Sequence, residues 1–131
     1  MQYLFKQSLY SSPSLFFESP VVHIYEPESI LRGVYQRLFT RHDFAPRVTN
    51  SFTDFVAGAK NSHLSIFSLW NPDTFNALVV HKHMLPLAKL IVVFDGSELA
   101  TQALMEHGLS RHFCRSSRPI DLVLLAKQII N

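Results

Sequence analysis

The run Leu90-Ile91-Val92-Val93-Phe94 contains no polar residue. A strand wetted on one face alternates polar and apolar side chains. Five apolar residues in succession need cover on both faces, which places this strand centrally in a parallel sheet between two helix layers. Four more short runs read as strands: Val21–Tyr25, residues 47–49, residues 64–69 and His112–Cys114. Helical spacing fills the gaps between them. Ile30, Leu31, Val34, Tyr35, Leu38 and Phe39 form one stripe, with Pro27 suited to the first turn. Ser51 and Asp54 match a capping box ahead of Phe52, Phe55, Val56 and Ala59. Asn71-Pro72 opens a third helix running to about Leu85. A fourth turns Leu99, Ala103 and Leu104 inward and stops at Gly108. Pro119 opens the fifth, with Leu122, Leu125, Ala126 and Ile129 inward. Five strands alternating with five helices, joined by right-handed crossovers, make a flavodoxin-like doubly wound α/β fold with strand order 2-1-3-4-5.

Composition agrees with one domain. The chain has 131 residues, 47% of them hydrophobic and 17% charged, enough for a real core and too apolar for disorder. Its formal charge of +2 is small, and its basic residues are scattered apart from Arg111, Arg115 and Arg118, which argues against nucleic-acid binding by the domain itself. The single cysteine, Cys114, cannot close an internal disulfide. No apolar run reaches the ~18 residues of a membrane span, so no membrane association is expected and a cytoplasmic location is the default. Residues 1–19 differ from the rest. Tyr3, Leu4, Phe5, Leu9, Tyr10, Leu15, Phe16 and Phe17 lie among serines without a clean period. The stretch reads either as a frayed leader or as an arm that packs on this domain or on a second copy.

In a doubly wound sheet, ligands bind beyond the carboxyl ends of the strands, where the strand order reverses. The residues there are Tyr25, Glu26, Ser68, Leu69, Phe94, Asp95, Cys114 and Arg115, a set with little paired acid. No glycine-rich phosphate loop, zinc pattern or nucleophile elbow accompanies them. His81 and His83 stand two apart on a helix and face different ways. Cys114 reads as a small apolar strand residue with no base beside it. Trp70 is either an exposed contact residue or a lid over the crevice.

Three segments carry a resemblance. His63-Leu64-Ser65-Ile66-Phe67-Ser68-Leu69-Trp70-Asn71-Pro72 resembles the third strand and following loop of response-regulator receiver domains, where an Asp precedes a proline by four residues. Tyr25-Glu26-Pro27-Glu28-Ser29-Ile30 is similar to the family's acidic pair with its following proline. Gly108-Leu109-Ser110-Arg111-His112-Phe113 is similar to its glycine-plus-strand segment. The resemblance spans residues 20–131 and leaves residues 1–19 as an N-terminal extension. It implies a departure from the family's chemistry. A working receiver holds magnesium with two acids after strand one and an Asp after strand three, and grips the phosphoryl group with a hydroxyl and a lysine. Here the first acid position is Tyr25 and the second Glu26. The acceptor position is Ser68, the hydroxyl position Phe94, and the lysine position Arg115 followed by Ser116. A serine has no standing charge for a divalent cation and accepts a phosphoryl group from histidine poorly. Asp73 lies too far along the third helix, and Asp95 on the strand-four loop does not recreate the acceptor geometry.

What the resemblance then implies is a degenerate receiver: not an enzyme, with no cofactor and no metal. It would belong to a bacterial response regulator of the two-component, phosphorelay type and act by protein–protein contact. Its expected contact face, built from helix four, strand five and helix five, offers Glu106, His107, Arg111 and Lys127, with Ala103 and Leu104 as apolar contacts or as core. The partner would be another protein or a second copy in a homodimer. Nucleic acid would be reached only through a separate output domain, for which the last helix leaves room after residue 131. Glu26 and Arg115 are expected either to pair in the space a phosphate would fill or to face solvent. The competing reading is a small-anion or nucleotide-binding domain using Arg115, Glu26 and Ser68.

Overall fold

The computed structural model describes residues 18–130. Five parallel strands run in the order β2-β1-β3-β4-β5: β1 Val21–Tyr25, β2 Ala45–Thr49, β3 Leu64–Ser68, β4 Leu90–Phe94 and β5 His112–Cys114. The helices are α1 Ser29–Arg41, α2 Phe52–Ala59, α3 Pro72–His81, α4 Glu98–Glu106 and α5 Pro119–Ile130. This is the doubly wound order expected from the alternation. All residues of β3 and β4 are buried. The apolar run of β4 lies inside the sheet as expected, although β3 is the middle strand.

The pleat sorts the core into two layers. Val22, Ile24, Leu64, Ile66, Ile91 and Val93 face α1 and α5, where they meet Tyr35, Phe39, Leu122, Val123 and Ala126. Phe67, Leu90, Val92 and Phe94 face the other way, onto Phe55 and Ala59 of α2, Leu78 of α3 and Leu104 of α4. Burying side chains of this size contributes roughly 1.5–3 kcal/mol each.

Helix starts follow local chemistry. The Ser51 hydroxyl accepts from Asp54 N, and the Asn71 side chain accepts from Thr74 N. At α1 the expectation misses by two residues. The cap is Glu28, whose carboxylate accepts from Ile30 N and Leu31 N, and Pro27 lies before the helix. Two inward assignments also fail. Ile30 is 73% exposed and Leu99 81%, because each sits in the first turn of its helix, beyond the rim of the sheet. The third helix stops at His81, and two single 3₁₀ turns lead into β4. β2 begins at Ala45 and takes in Pro46, which an edge strand tolerates. Gly108, with φ at 76°, ends α4 in a conformation that suits glycine.

One contact across β1 and α2 is tight. His23 is buried against Phe55, with ring centroids 5.7 Å apart. A Cβ on Gly58 would lie 2.0 Å from the His23 ring. Gly58→Ala therefore overpacks the layer and is expected to cost about 1–3 kcal/mol in urea unfolding. Burial holds the His23 pKa below its usual 6.5. Below that pH the unfolded chain takes up a proton that the folded chain refuses, so stability falls as the medium is acidified. His23→Gln should flatten the acid side of the stability–pH curve, measured by thermal melts from pH 7.5 downward. An unchanged slope would show that His23 does not set it.

Candidate functional site

β1, β3, β4 and β5 present their carboxyl ends on one edge, and the strand order reverses between β1 and β3. Tyr25 pairs with Phe67 across that reversal, so Glu26 and Ser68 come next on neighbouring strands. Glu26 N donates to Thr49 O at 2.9 Å, which anchors it to β2. Its carboxylate is fully buried. Oε2 accepts from Trp70 Nε1 at 2.8 Å and from Glu28 N at 3.1 Å. The Glu26 carbonyl accepts from Arg32 Nη1. A buried carboxylate needs such N–H donors in place of water.

Arg115 approaches from β5. Its backbone N donates to Phe94 O at 2.7 Å. Its Nη2 donates to the Leu69 carbonyl, and its guanidinium carbon lies 3.8 Å from the centre of the Trp70 ring. The expected ion pair between Glu26 and Arg115 does not form, and neither residue simply faces solvent. The indole of Trp70 stands between them, bonded to the carboxylate through its N–H and stacked on the guanidinium through its face. Trp70 is 42% exposed, so it is both lid and surface.

Three buried side-chain atoms among the described residues lack a hydrogen-bond partner: Glu26 Oε1, Ser68 Oγ and Arg115 Nε. All three belong to this edge of the sheet. Ser68 is fully buried at the end of β3. The other two positions of the set point elsewhere. Tyr25 turns into the α2 layer, stacked on Phe67 at 4.8 Å and edge-on to Phe52 at 6.0 Å. Burial, and then the Glu26 charge, push its phenol pKa up. On the opposite face burial, with Glu26 adding, pushes Tyr35 up to about 12. Phe94 is buried, 5.4 Å from the His112 ring, and donates no hydrogen bond.

Beside the lid opens a cleft of about 370 Å³, bounded by the loop after β3, Phe75 of α3 and the first turns of α4. Leu69, Trp70, Phe94, Leu99 and Ala103 make most of its wall, with Asp95 and Arg115 on its polar side. The Asp95 carboxylate accepts from Ser97 N at 2.9 Å, and this bond lowers its pKa. Cys114 lies over Gly96, whose φ is 83° and where a Cβ would sit 2.7 Å from the sulfur. Its Sγ is 3.0 Å from Ser116 Oγ, and that hydrogen bond draws the thiol pKa down.

The expected contact face is only partly a surface. Leu104 is fully buried in the α2–α4 layer, so it is core. Ala103 lines the cleft. His107 packs its ring 5.7 Å from Phe75, while Lys82 donates to its carbonyl. Glu106 and Arg111 are exposed, Arg111 with one N–H on the Ala88 carbonyl, and Lys127 is half-exposed. Of the two alternatives for Leu104 the structure takes the core one; helix four carries adjacent apolar residues, and periodicity alone cannot say which one points inward. The Trp70–Glu26 bond carried no local sequence signal, since its partners lie on separate loops 44 residues apart.

No protein-family model matches the sequence, and no curated protein matches it. Solved structures do match its shape. The receiver domain of the Francisella response regulator 1452 superposes with a TM-score of 0.73 at 10% identity, covering 86% of this chain and 97% of that one. The beryllofluoride-activated N-terminal receiver domain of Klebsiella pneumoniae RstA gives 0.71 at 11% identity, with coverage of 85% and 98%. HP1043, an orphan response regulator of H. pylori, gives 0.69 at 19% identity, with coverage of 87% and 98%. The fold is therefore that of CheY-like receiver domains. No helix among the described residues is long and apolar enough to cross a membrane.

The arrangement separates direct contact from proximity. Glu26→Gln combined with Trp70→Phe should deviate from additivity by about 1 kcal/mol or more, and Glu26→Gln with Arg115→Met, which are linked only through the shared indole, should deviate by less. Chemical denaturation of the singles and doubles checks this. Strong coupling of Glu26 to Arg115 alone would assign the indole a passive role.

Proposed function

We propose that this receiver-fold domain acts by binding protein partners and does not accept a phosphoryl group. The observation that carries the reading is the occupation of the crevice. At the end of β3, where a receiver presents its acceptor carboxylate, the chain presents the buried hydroxyl of Ser68. At the same edge of the sheet the Trp70 indole is bonded to the Glu26 carboxylate and stacked on the Arg115 guanidinium. Magnesium gives up its waters only to several charged oxygens. Glu26 offers one carboxylate, and its Oε2 is already engaged by two N–H donors. No group of three or more His, Cys, Asp or Glu side chains among the described residues converges on a common point. Tyr25 and Phe94 turn into the apolar layer under α2, so neither supplies the acid or the hydroxyl that a working pocket needs.

With the chemistry gone, the remaining asset is surface. Glu106, Arg111 and Lys127 on the α4–β5–α5 side are open to a charged partner. The receiver shape supports a role in a bacterial response regulator, with any nucleic-acid contact made by a separate output domain. The small-anion reading has one observation, the unpartnered Ser68 Oγ and Arg115 Nε, but Ser68 is fully buried and the Glu26 carboxylate at the same edge of the sheet repels an anion.

Incubation with acetyl phosphate and magnesium tests the reading. Intact-mass spectra should show no phosphoryl adduct, and the melting temperature should not depend on magnesium. A phosphoryl adduct on Ser68, or a magnesium-dependent rise in the melting temperature, would overturn it.

A further inference from the structure

The cleft beside Trp70 takes no part in the proposed function. Its volume of about 370 Å³ lies at the small end of the roughly 300–1,000 Å³ that small-molecule sites occupy. Most of its wall is carbon, from Leu69, Phe75, Phe94 and Ala103, and Leu99 at the rim is 81% exposed. A concave apolar wall with a few placed polar groups is how such sites are built. Two of the lining residues carry charge, and the charges are opposite. Asp95 is exposed on the loop after β4, and Arg115 follows β5. They do not pair with each other: among the described residues the only ion pair joins Arg118 to Asp121. Each keeps capacity for a further bond. The Asp95 carboxylate accepts from Ser97 alone among the described residues. Arg115 gives Nη2 to the Leu69 carbonyl, while its Nη1 and Nε meet no acceptor among the described residues. We propose that this cleft binds a free α-amino acid with a large apolar side chain, the ammonium on Asp95, the carboxylate on Arg115 and the side chain against Phe75, Leu99 and Ala103.

The charge pattern selects this class of ligand. A simple anion meets Arg115 but is repelled by Asp95, and a simple amine meets Asp95 but is repelled by Arg115. A molecule that carries both charges on one carbon satisfies both residues at once. Hydrogen bonds from Ser97 hold the Asp95 carboxyl below its usual range, and the Arg115 charge adds a smaller pull, so the carboxylate is ionised at neutral pH. The guanidinium is held in place by the Leu69 carbonyl and the Trp70 ring, both of which belong to the cleft wall. Its position is therefore set before a ligand arrives, which lowers the ordering cost of binding. The apolar side chain supplies the remaining drive, because seating it removes Leu99 and part of the Trp70 ring from water.

Trp70 is the chain's single tryptophan and lines the cleft, so its emission reports binding directly. Titration of the protein with L-phenylalanine or L-leucine should change that emission saturably, with half-saturation below about 10 mM. Phenethylamine, which lacks the carboxylate, and phenylpropionate, which lacks the ammonium, should each bind at least about tenfold more weakly, as expected when one charged hydrogen-bond partner is lost. Asp95→Asn, at an exposed position and able to keep the Ser97 bond, should weaken L-phenylalanine about tenfold or more and leave the melting temperature of the free protein unchanged. Ala103→Phe, which fills the cleft, should abolish the response. Emission that does not saturate with either amino acid would overturn the proposal. So would undiminished affinity for either single-charge analogue, or undiminished affinity for L-phenylalanine in Asp95→Asn, since each would show that the two charges do not act together on one ligand.

Discussion

The indole of Trp70 organises the carboxyl edge of this sheet. A fully buried carboxylate is costly unless donors replace its water, and an adjacent guanidinium would ordinarily supply them. Here Arg115 does not reach Glu26. The donors are the indole N–H at 2.8 Å and the Glu28 amide at 3.1 Å. The ring that gives its edge to the acid gives its face to the base, at 3.8 Å. One side chain thus stands between two opposite charges and engages both, while Glu26 Oε1 and Arg115 Nε remain without a hydrogen-bond partner. The loop after β3 is pinned by this arrangement, because the same arginine also holds the Leu69 carbonyl. Without Trp70, Glu26 would be a buried charge short of a donor and Arg115 would lose its stacking surface.

This explains why a sheet shaped like a receiver's presents so different a crevice. A phosphoryl site must keep open space, charged oxygens and a mobile hydroxyl at the ends of its strands. In this chain the strand ends carry other groups. Ser68 is buried, Phe94 closes the end of β4, and Tyr25 is drawn into an aromatic cluster with Phe52, Phe55 and Phe67. The apolar volume that remains lies to one side, against α4, and suits carbon better than charge. The fold keeps the receiver's topology, and beside its carboxyl edge lies an apolar notch.

The fold was legible in the sequence because it depends on period and order. Five apolar strand runs separated by helical stripes admit few topologies, and the buried run of β4 already required two helix layers. Caps at Ser51 and Asn71 were legible for the same local reason. Helix rims were not. Ile30 and Leu99 follow the helical period but project past the sheet, where a periodic pattern has nothing left to pack against. The site was legible as a set of positions, since strand ends in this topology converge. Its wiring was not, because whether Arg115 meets Glu26 or Trp70 depends on the path of the loop after β3. Leu104 shows the same limit at the surface: helix four places it in the core, and only three-dimensional packing separates it from Ala103.

The claim that the crevice is shut by the Glu26–Trp70–Arg115 arrangement has a direct spectroscopic handle. The single tryptophan contributes one indole N–H resonance in a ¹H–¹⁵N spectrum of the protein. Titration with magnesium and beryllofluoride should leave that resonance in place, because the indole N–H goes on donating to Glu26 Oε2 and no ion enters. A saturable shift of the indole peak at the ion concentrations that load working receivers would contradict the account, since it would mean that the lid gives way and the crevice still takes the ion.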